Sequence, residues 1–175
     1  MFIHHANPAC GQPLSKTNPA RRNRFLFLPE GSAAMTRKIE CLDWPDRLDV
    51  WTPYSMAVKA SGGTTVYFAG VTAAPPYHHH PHRSEEFDTL PDDLPTQTRM
   101  ALENIKKSLA TVGGTFKDIV FFQFFSTTME GAPEAGAIRK EYFGDHRTAS
   151  TTLQVVRLAT DPRCLVEVNA IAVVD

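Results

Sequence analysis

The chain has 175 residues, 42% hydrophobic and 21% charged, with a formal net charge of −1. That length suits one domain with a real core, and the near-neutral balance excludes the clustered basic surface of a nucleic-acid binder. No apolar run approaches the ~20 residues of a membrane span, and three widely spaced cysteines (Cys10, Cys41, Cys164) fit neither a disulfide scaffold nor a Cys-based zinc site, so a reducing, cytoplasmic setting is expected.

Residues 1–34 are rich in Asn, Pro, Gly and Ala and carry no periodic pattern. They read as a disordered or extended N-terminal segment, with Met35 a candidate start and 35–175 the folded domain. "YSMAVKA" (54–60) alternates Tyr54, Met56 and Val58, and "TTVYFAGV" (64–71) is β-branched and aromatic. Gly62-Gly63 between them predicts a hairpin or a turn into the second strand, with the first as its candidate partner. From 73 to 95 runs a long loop of Pro, His and acid, the kind of loop that is functional or mobile.

At Thr96 the period changes. Ala101, Leu102, Ile105, Leu109 and Val112 recur at helical spacing, with Thr96 as N-cap and Gly113-Gly114 as the stop. "DIVFFQFFST" (118–127) follows as a strand, and a second helix runs from Pro133 to Phe143, closed by Gly144. The stretch "HRTASTTLQVV" (146–156) is a strand whose first half is crowded with hydroxyls, and "CLVEVNAIAVV" (164–174) is the last. In that last strand Val166, Val168, Ala170, Ala172 and Val174 share an apolar face, while Glu167 and Asn169 interrupt the other. The order β-β-α-β-α-β-β predicts an α/β two-layer sandwich, a sheet with both helices on one face. So apolar a sheet needs a cover on its second face, and oligomerisation supplies one.

Several segments together resemble the RidA (YjgF-type, L-PSP) family: "YSMAV" from Tyr54, "VYFAG" ending at Gly70, "QTRMALENIKKSLATVGGTFKDIV" (97–120), "EYFGDHR" from Glu141 and "CLVEVNAIA" from Cys164. The resemblance implies a chorismate-mutase-like α/β fold, a homotrimer, and small-molecule clefts between subunits. It also implies hydrolysis of reactive imines and enamines, such as 2-aminoacrylate, without a cofactor. An imino acid's carboxylate calls for a bidentate arginine, and its hydrolysis calls for a positioned water.

Carried onto this sequence, the family's arginine position is Ser150 and its Cys/Thr position is Thr152. The water-positioning glutamate falls on Asn169, with Glu167 two residues earlier, and an asparagine of the second helix falls on Gly136. Tyr54 and Gly70 match the family pattern. The expected ligand pocket is therefore Tyr54, Gly70, Gly136, Ser150, Thr152, Glu167 and Asn169, a neutral polar site suited to a less anionic ligand. Of the other cations, Arg147 lies three residues before Ser150, an odd offset that points it to the opposite face of an extended strand unless the strand bends at its start, and nothing in the sequence favours Arg139 or Arg83. The implied function is small-molecule binding with hydrolysis of an imine, enamine or related species, and standard 2-aminoacrylate deamination is not expected, because Ser150 and Asn169 replace the arginine and the glutamate; the alternative is a non-catalytic ligand-sensing or partner-binding trimer.

His78, His79, His80 and His82 form a cluster in the long loop. Three adjacent histidines match no helical or hairpin zinc spacing, so a solvated loop is expected over a metal site. As a lid, the same loop would bring histidines to the ligand. Phe121, Phe122, Phe124 and Phe125 read as core and interface, Cys164 as an inert buried thiol, and Ser150 lacks the defined base a nucleophile needs.

Overall fold

Strands of period two and a helix of period 3.6 meet in this chain, and the core forms where their apolar faces meet. The computed structural model describes residues 36–46 and 48–175; the segment 1–34 and Met35 lie outside them. The strands are β1 (Lys38–Leu42), β2 (Ala57–Ser61), β3 (Thr64–Tyr67), β4 (Val71–Thr72), β5 (Ile119–Ser126), β6 (Ala149–Gln154) and β7 (Val166–Val174). The helices are α1 (Leu94–Ala110) and α2 (Ala132–Phe143).

The main sheet has the order β3-β7-β5-β6, with β4 also on β7. It is mixed: β5 runs antiparallel to β7 and parallel to β6. The expected apolar face of β7 is buried along its length, and Phe122 and Phe124 of β5 lie beside it. Leu102, Ile105 and Leu109 of α1 and Phe143 of α2 close the same core. Both helices therefore sit on one face of the sheet.

The expected hairpin is not formed by pairing. β2 pairs with β1, from Lys38↔Ser61 to Leu42↔Ala57, and β3 pairs with β7. Gly62 and Gly63, at φ 66 and 67, turn the chain in the left-handed region that L side chains avoid. The nine-residue β7 then offers β3 a full ladder, from Thr64↔Val174 to Tyr67↔Ile171. The 64–71 strand is itself broken: β4 resumes on β7 at Val71↔Val168, one residue out of step with β3. Gly70 lies in the offset. A Cβ there would stand 2.3 Å from Glu167 Oε1, so a larger residue would displace that carboxylate from over the backbone.

The first helix begins three residues before the sequence expectation. Its N-cap is Asp93, whose carboxylate accepts the Thr96 N–H at 2.8 Å, so Thr96 belongs to the first turn. Pro95 is tolerated there because its missing N–H would have had no helical partner. Two buried amides then fasten α1 to the chain around it. The Gln97 side chain donates to the carbonyls of Pro91 (2.6 Å) and Arg163 (2.7 Å) and accepts the Leu165 N–H at 2.8 Å. Asn104 donates to the carbonyls of Thr72 (2.9 Å) and Ala74 (3.0 Å). Both ends of the 73–95 loop are thus held to α1 or beside it.

Gln97 is fully buried and every one of its polar partners is main chain. Gln97→Leu fits the space and strands two carbonyls and one N–H. A loss of about 3 kcal/mol is expected, at ~1–3 kcal/mol per buried orphan group. Urea unfolding measures it as a lowered midpoint at constant slope; an unchanged midpoint contradicts the assignment.

Candidate functional site

Strand parity decides which side chains can meet. Across the parallel ladder Ser150 pairs with Phe122 and Thr152 with Phe124. Phe122 and Phe124 belong to the core under the helices, so Ser150 and Thr152 face the α2 side. β6 is the edge strand, and its small side chains leave a gap beneath α2. That gap is a cleft of roughly 390 Å³. One stripe of α2 forms its roof, Gly136, Arg139, Lys140 and Phe143, spaced three or four residues apart. Its remaining walls are 144–148 and the segment holding Trp51, Pro53 and Tyr54.

Arg139 dominates the electrostatics. Its guanidinium lies 5.3 Å from the Phe122 ring centroid and 5.1 Å from that of Phe124. One N–H donates to Thr152 Oγ1 at 3.0 Å. Burial pushes its pKa down from the ordinary arginine value, and no carboxylate among the described residues pairs with it. The rings hold the planar cation by cation–π contact, leaving most of its five N–H donors unassigned. The two other cations of the cleft are engaged. Arg147 pairs with Asp43, and the Lys140 ammonium lies 5.1 Å from the Trp51 ring centroid.

Asp145 and His146 also line the cleft, a carboxyl and an imidazole of the kinds that serve as general bases. His146 donates its Nε2–H to the Ile119 carbonyl at 2.7 Å, which fixes the tautomer and leaves Nδ1 with the lone pair. Its ring lies parallel to that of Phe143. A carbonyl-bound Nε2 is no base for Ser150, so a serine nucleophile finds no support from that atom.

The seven residues expected in one pocket divide between two faces of the sheet. Tyr54, Gly136, Ser150 and Thr152 line the cleft. Glu167 and Asn169 pair with Phe125 and Gln123, which alternate with the core phenylalanines, so both point away from the helices. Gly70 lies with Glu167. Within one chain the cleft is also not the neutral site expected from the sequence, because Arg139 of α2 places a cation against Thr152 of β6. Its signal was its place three residues after Gly136, on the same helical stripe. Arg147 lines the cleft because β6 begins only at Ala149, so the alternation assumed for it does not apply.

The histidine loop lies elsewhere. No residue of 73–95 lines the cleft within one chain. His82 Nδ1 donates to the Thr160 carbonyl at 2.6 Å, beyond the far end of β6. His79 bonds Glu86 at 2.6 Å and holds that carboxyl down to about 2. The rings of His78 and His82 lie edge-on to Phe87, the buried centre of a small cluster with Ala74, Leu158 and Cys164.

A mixed sheet under two helices, with a cationic cleft at its edge strand, defines a two-layer α/β sandwich. The comparisons narrow this to one family. The pattern of the family described as Endoribonuclease L-PSP matches residues 45–174. A RutC family protein of Pyrococcus horikoshii is 31% identical over 120 residues, 69% of this chain and 86% of that one. The 3-aminoacrylate deaminase RutC of Acinetobacter baylyi is 31% identical over 121 residues, again 69% and 86%. The solved structure of a Rid family protein of unknown function from Yersinia pestis superposes with a TM-score of 0.62 at 25% identity, covering 78% of this chain and 98% of that one. The chain belongs to the L-PSP family, that of the RidA and YjgF proteins. No helix among the described residues is long and apolar enough to cross a membrane.

Of the cysteines in the described region, Cys41 is exposed and Cys164 is buried, and burial pushes the Cys164 thiol up. A thiol-specific reagent is expected to label Cys41 in the native protein and Cys164 only after unfolding, as read by peptide mass mapping. Labelling of native Cys164 at the rate of Cys41 contradicts the inert assignment.

Proposed function

We propose that the cleft takes a small carboxylate-bearing metabolite on Arg139 and that the chain hydrolyses an imine, enamine or related reactive species there, without a cofactor. The observation that carries this reading is the guanidinium itself. It is backed by two rings and tied to one hydroxyl, and no described carboxylate neutralises it. A cation held in that state is an anion site, because a planar carboxylate supplies the paired acceptors the protein withholds. The family membership and a 3-aminoacrylate deaminase among the relatives support the reaction class.

In the reaction, water adds to the C=N carbon of the bound imine. The nitrogen takes a proton, the carbinolamine loses its hydroxyl proton, and ammonia leaves as the keto acid forms. His146 Nδ1, with Nε2 held by a carbonyl, is the group to accept the water's proton. Arg139 holds the carboxylate in place through every step, so its contribution falls on positioning and binding.

A second reading has an observation of its own. Glu167 and Asn169 face away from the cleft, so within one chain no acidic residue stands where the family's glutamate would position water. A ligand-sensing or partner-binding protein needs only the arginine. Either way we propose a homotrimer. The open face of the sheet carries Phe121, Phe125 and Ile171 half-buried and Leu153 and Tyr67 exposed, apolar surface that a neighbouring subunit would cover.

Ammonia release from freshly generated 2-iminobutyrate tests the proposal. The wild type is expected to accelerate it and Arg139→Gln to lose about 30–160-fold in kcat/KM, the effect of one charge-assisted clamp worth ~2–3 kcal/mol. Keto-acid binding without ammonia release favours the sensing reading; an Arg139→Gln variant as active as wild type contradicts the site. Light scattering is expected to give the mass of three chains, and a monomer mass contradicts the trimer.

A further inference from the structure

The 73–95 loop, left unused by the cleft, contains an arrangement that spacing in sequence did not predict. Folding skips alternate residues and gathers His78, His80 and His82. Their ring centroids lie 4.7–4.9 Å apart, and one ring nitrogen from each falls within 4.8 Å of the others. His79 is turned out of the group by its bond to Glu86.

Hydrogen-bond accounting defines what the trio can hold. His78 Nδ1 lies 2.8 Å from the Pro75 carbonyl oxygen and His82 Nδ1 lies 2.6 Å from that of Thr160. A carbonyl oxygen only accepts, so both Nδ1 atoms carry hydrogen and donate. In the neutral rings both Nε2 atoms then present lone pairs, and these two atoms face each other at 3.2 Å. Two lone pairs at that distance repel unless a cation lies between them. The separation is also a tetrahedral bite: two nitrogens each ~2.0–2.1 Å from one zinc ion stand about 3.3 Å apart. Nδ1–H donation to a backbone carbonyl is the outer bond that orients metal-bound imidazoles. His80 is exposed, and a side-chain shift of about 1.5 Å brings its nitrogen from the 4.8 Å limit to the same bite.

We propose that His78, His80 and His82 form a three-histidine site for a late first-row divalent cation, of which Zn²⁺ is the representative. Neutral imidazoles suit Zn²⁺, Cu²⁺ and Ni²⁺, whereas Mg²⁺ and Ca²⁺ require oxygen ligands the trio does not offer. Three ligands leave a fourth position open to water. The ion would clip the loop to itself and, through the His82–Thr160 bond, to the segment before β7.

The test uses the full, untagged, metal-free chain, because an affinity tag and the sequence's own His4 and His5 could also bind. Titration with Zn²⁺ in a calorimeter is expected to show one site per chain assignable to the loop. His82→Asn keeps a side-chain N–H for the Thr160 carbonyl and removes Nε2; it is expected to weaken that site at least tenfold with the circular dichroism unchanged. His78→Ala is expected to do the same, and His79→Gln to stay within twofold of wild type. Substitution with Co²⁺ is expected to give the intense visible absorption of a tetrahedral ion. Zn²⁺ binding unchanged in the His78→Ala, His82→Asn double variant overturns the proposal by placing the ion elsewhere. Absence of Zn²⁺ binding in the wild type overturns it too and leaves a shared proton between the two imidazoles.

Discussion

The rings of Phe122 and Phe124 impose the constraint on which the cleft depends. They sit on the central strand β5 with their helix-side faces covered, and their edge-strand partners are Ser150 and Thr152. Small hydroxyl residues at those two positions leave room above the rings. α2 crosses that space and lowers Arg139 into it, where the guanidinium meets both rings and the Thr152 hydroxyl. A long side chain at Ser150 would compete for that volume, and a cationic one would also repel Arg139. The serine and the arginine are therefore two halves of one arrangement. The charge the family resemblance places on the strand is carried here by the helix.

Much of this architecture was legible beforehand. The 3.6-residue period of Ala101, Leu102, Ile105 and Leu109 marked α1, and strict alternation from Val166 to Val174 marked the buried face of β7. The boundary of α1 was missed because Asp93, a stronger cap, stands three residues before Thr96. The partner of β2 was missed for a different reason. Gly62-Gly63 predicts a turn, and a turn does not say which edge the next strand will choose; β3 pairs with β7.

The site was half legible. Ser150 and Thr152 share a face by parity alone, and so do Glu167 and Asn169. Whether those two faces are the same face depends on register across β5, which no single strand contains. Phe122 pairs with both Ser150 and Ala170, and Gln123 with both Thr151 and Asn169. That one-residue alternation puts the two candidate pairs on opposite sides of the sheet. Arg139 needed the position of α2 over β6, and the histidine trio needed the path of a loop. In both cases the informative distance is between side chains that sequence separation does not order.

Under the proposed function, one cation carried by the helix rather than the strand makes the cleft an anion site. The most direct measurement is carboxylate binding across a charge relocation, followed by NMR titration of 2-ketobutyrate into wild type, Arg139→Ser, and Arg139→Ser combined with Ser150→Arg. Saturable shifts at residues of 136–152 are expected in wild type, with their loss in Arg139→Ser and their return in the double variant. Undiminished binding in Arg139→Ser would contradict the anion site.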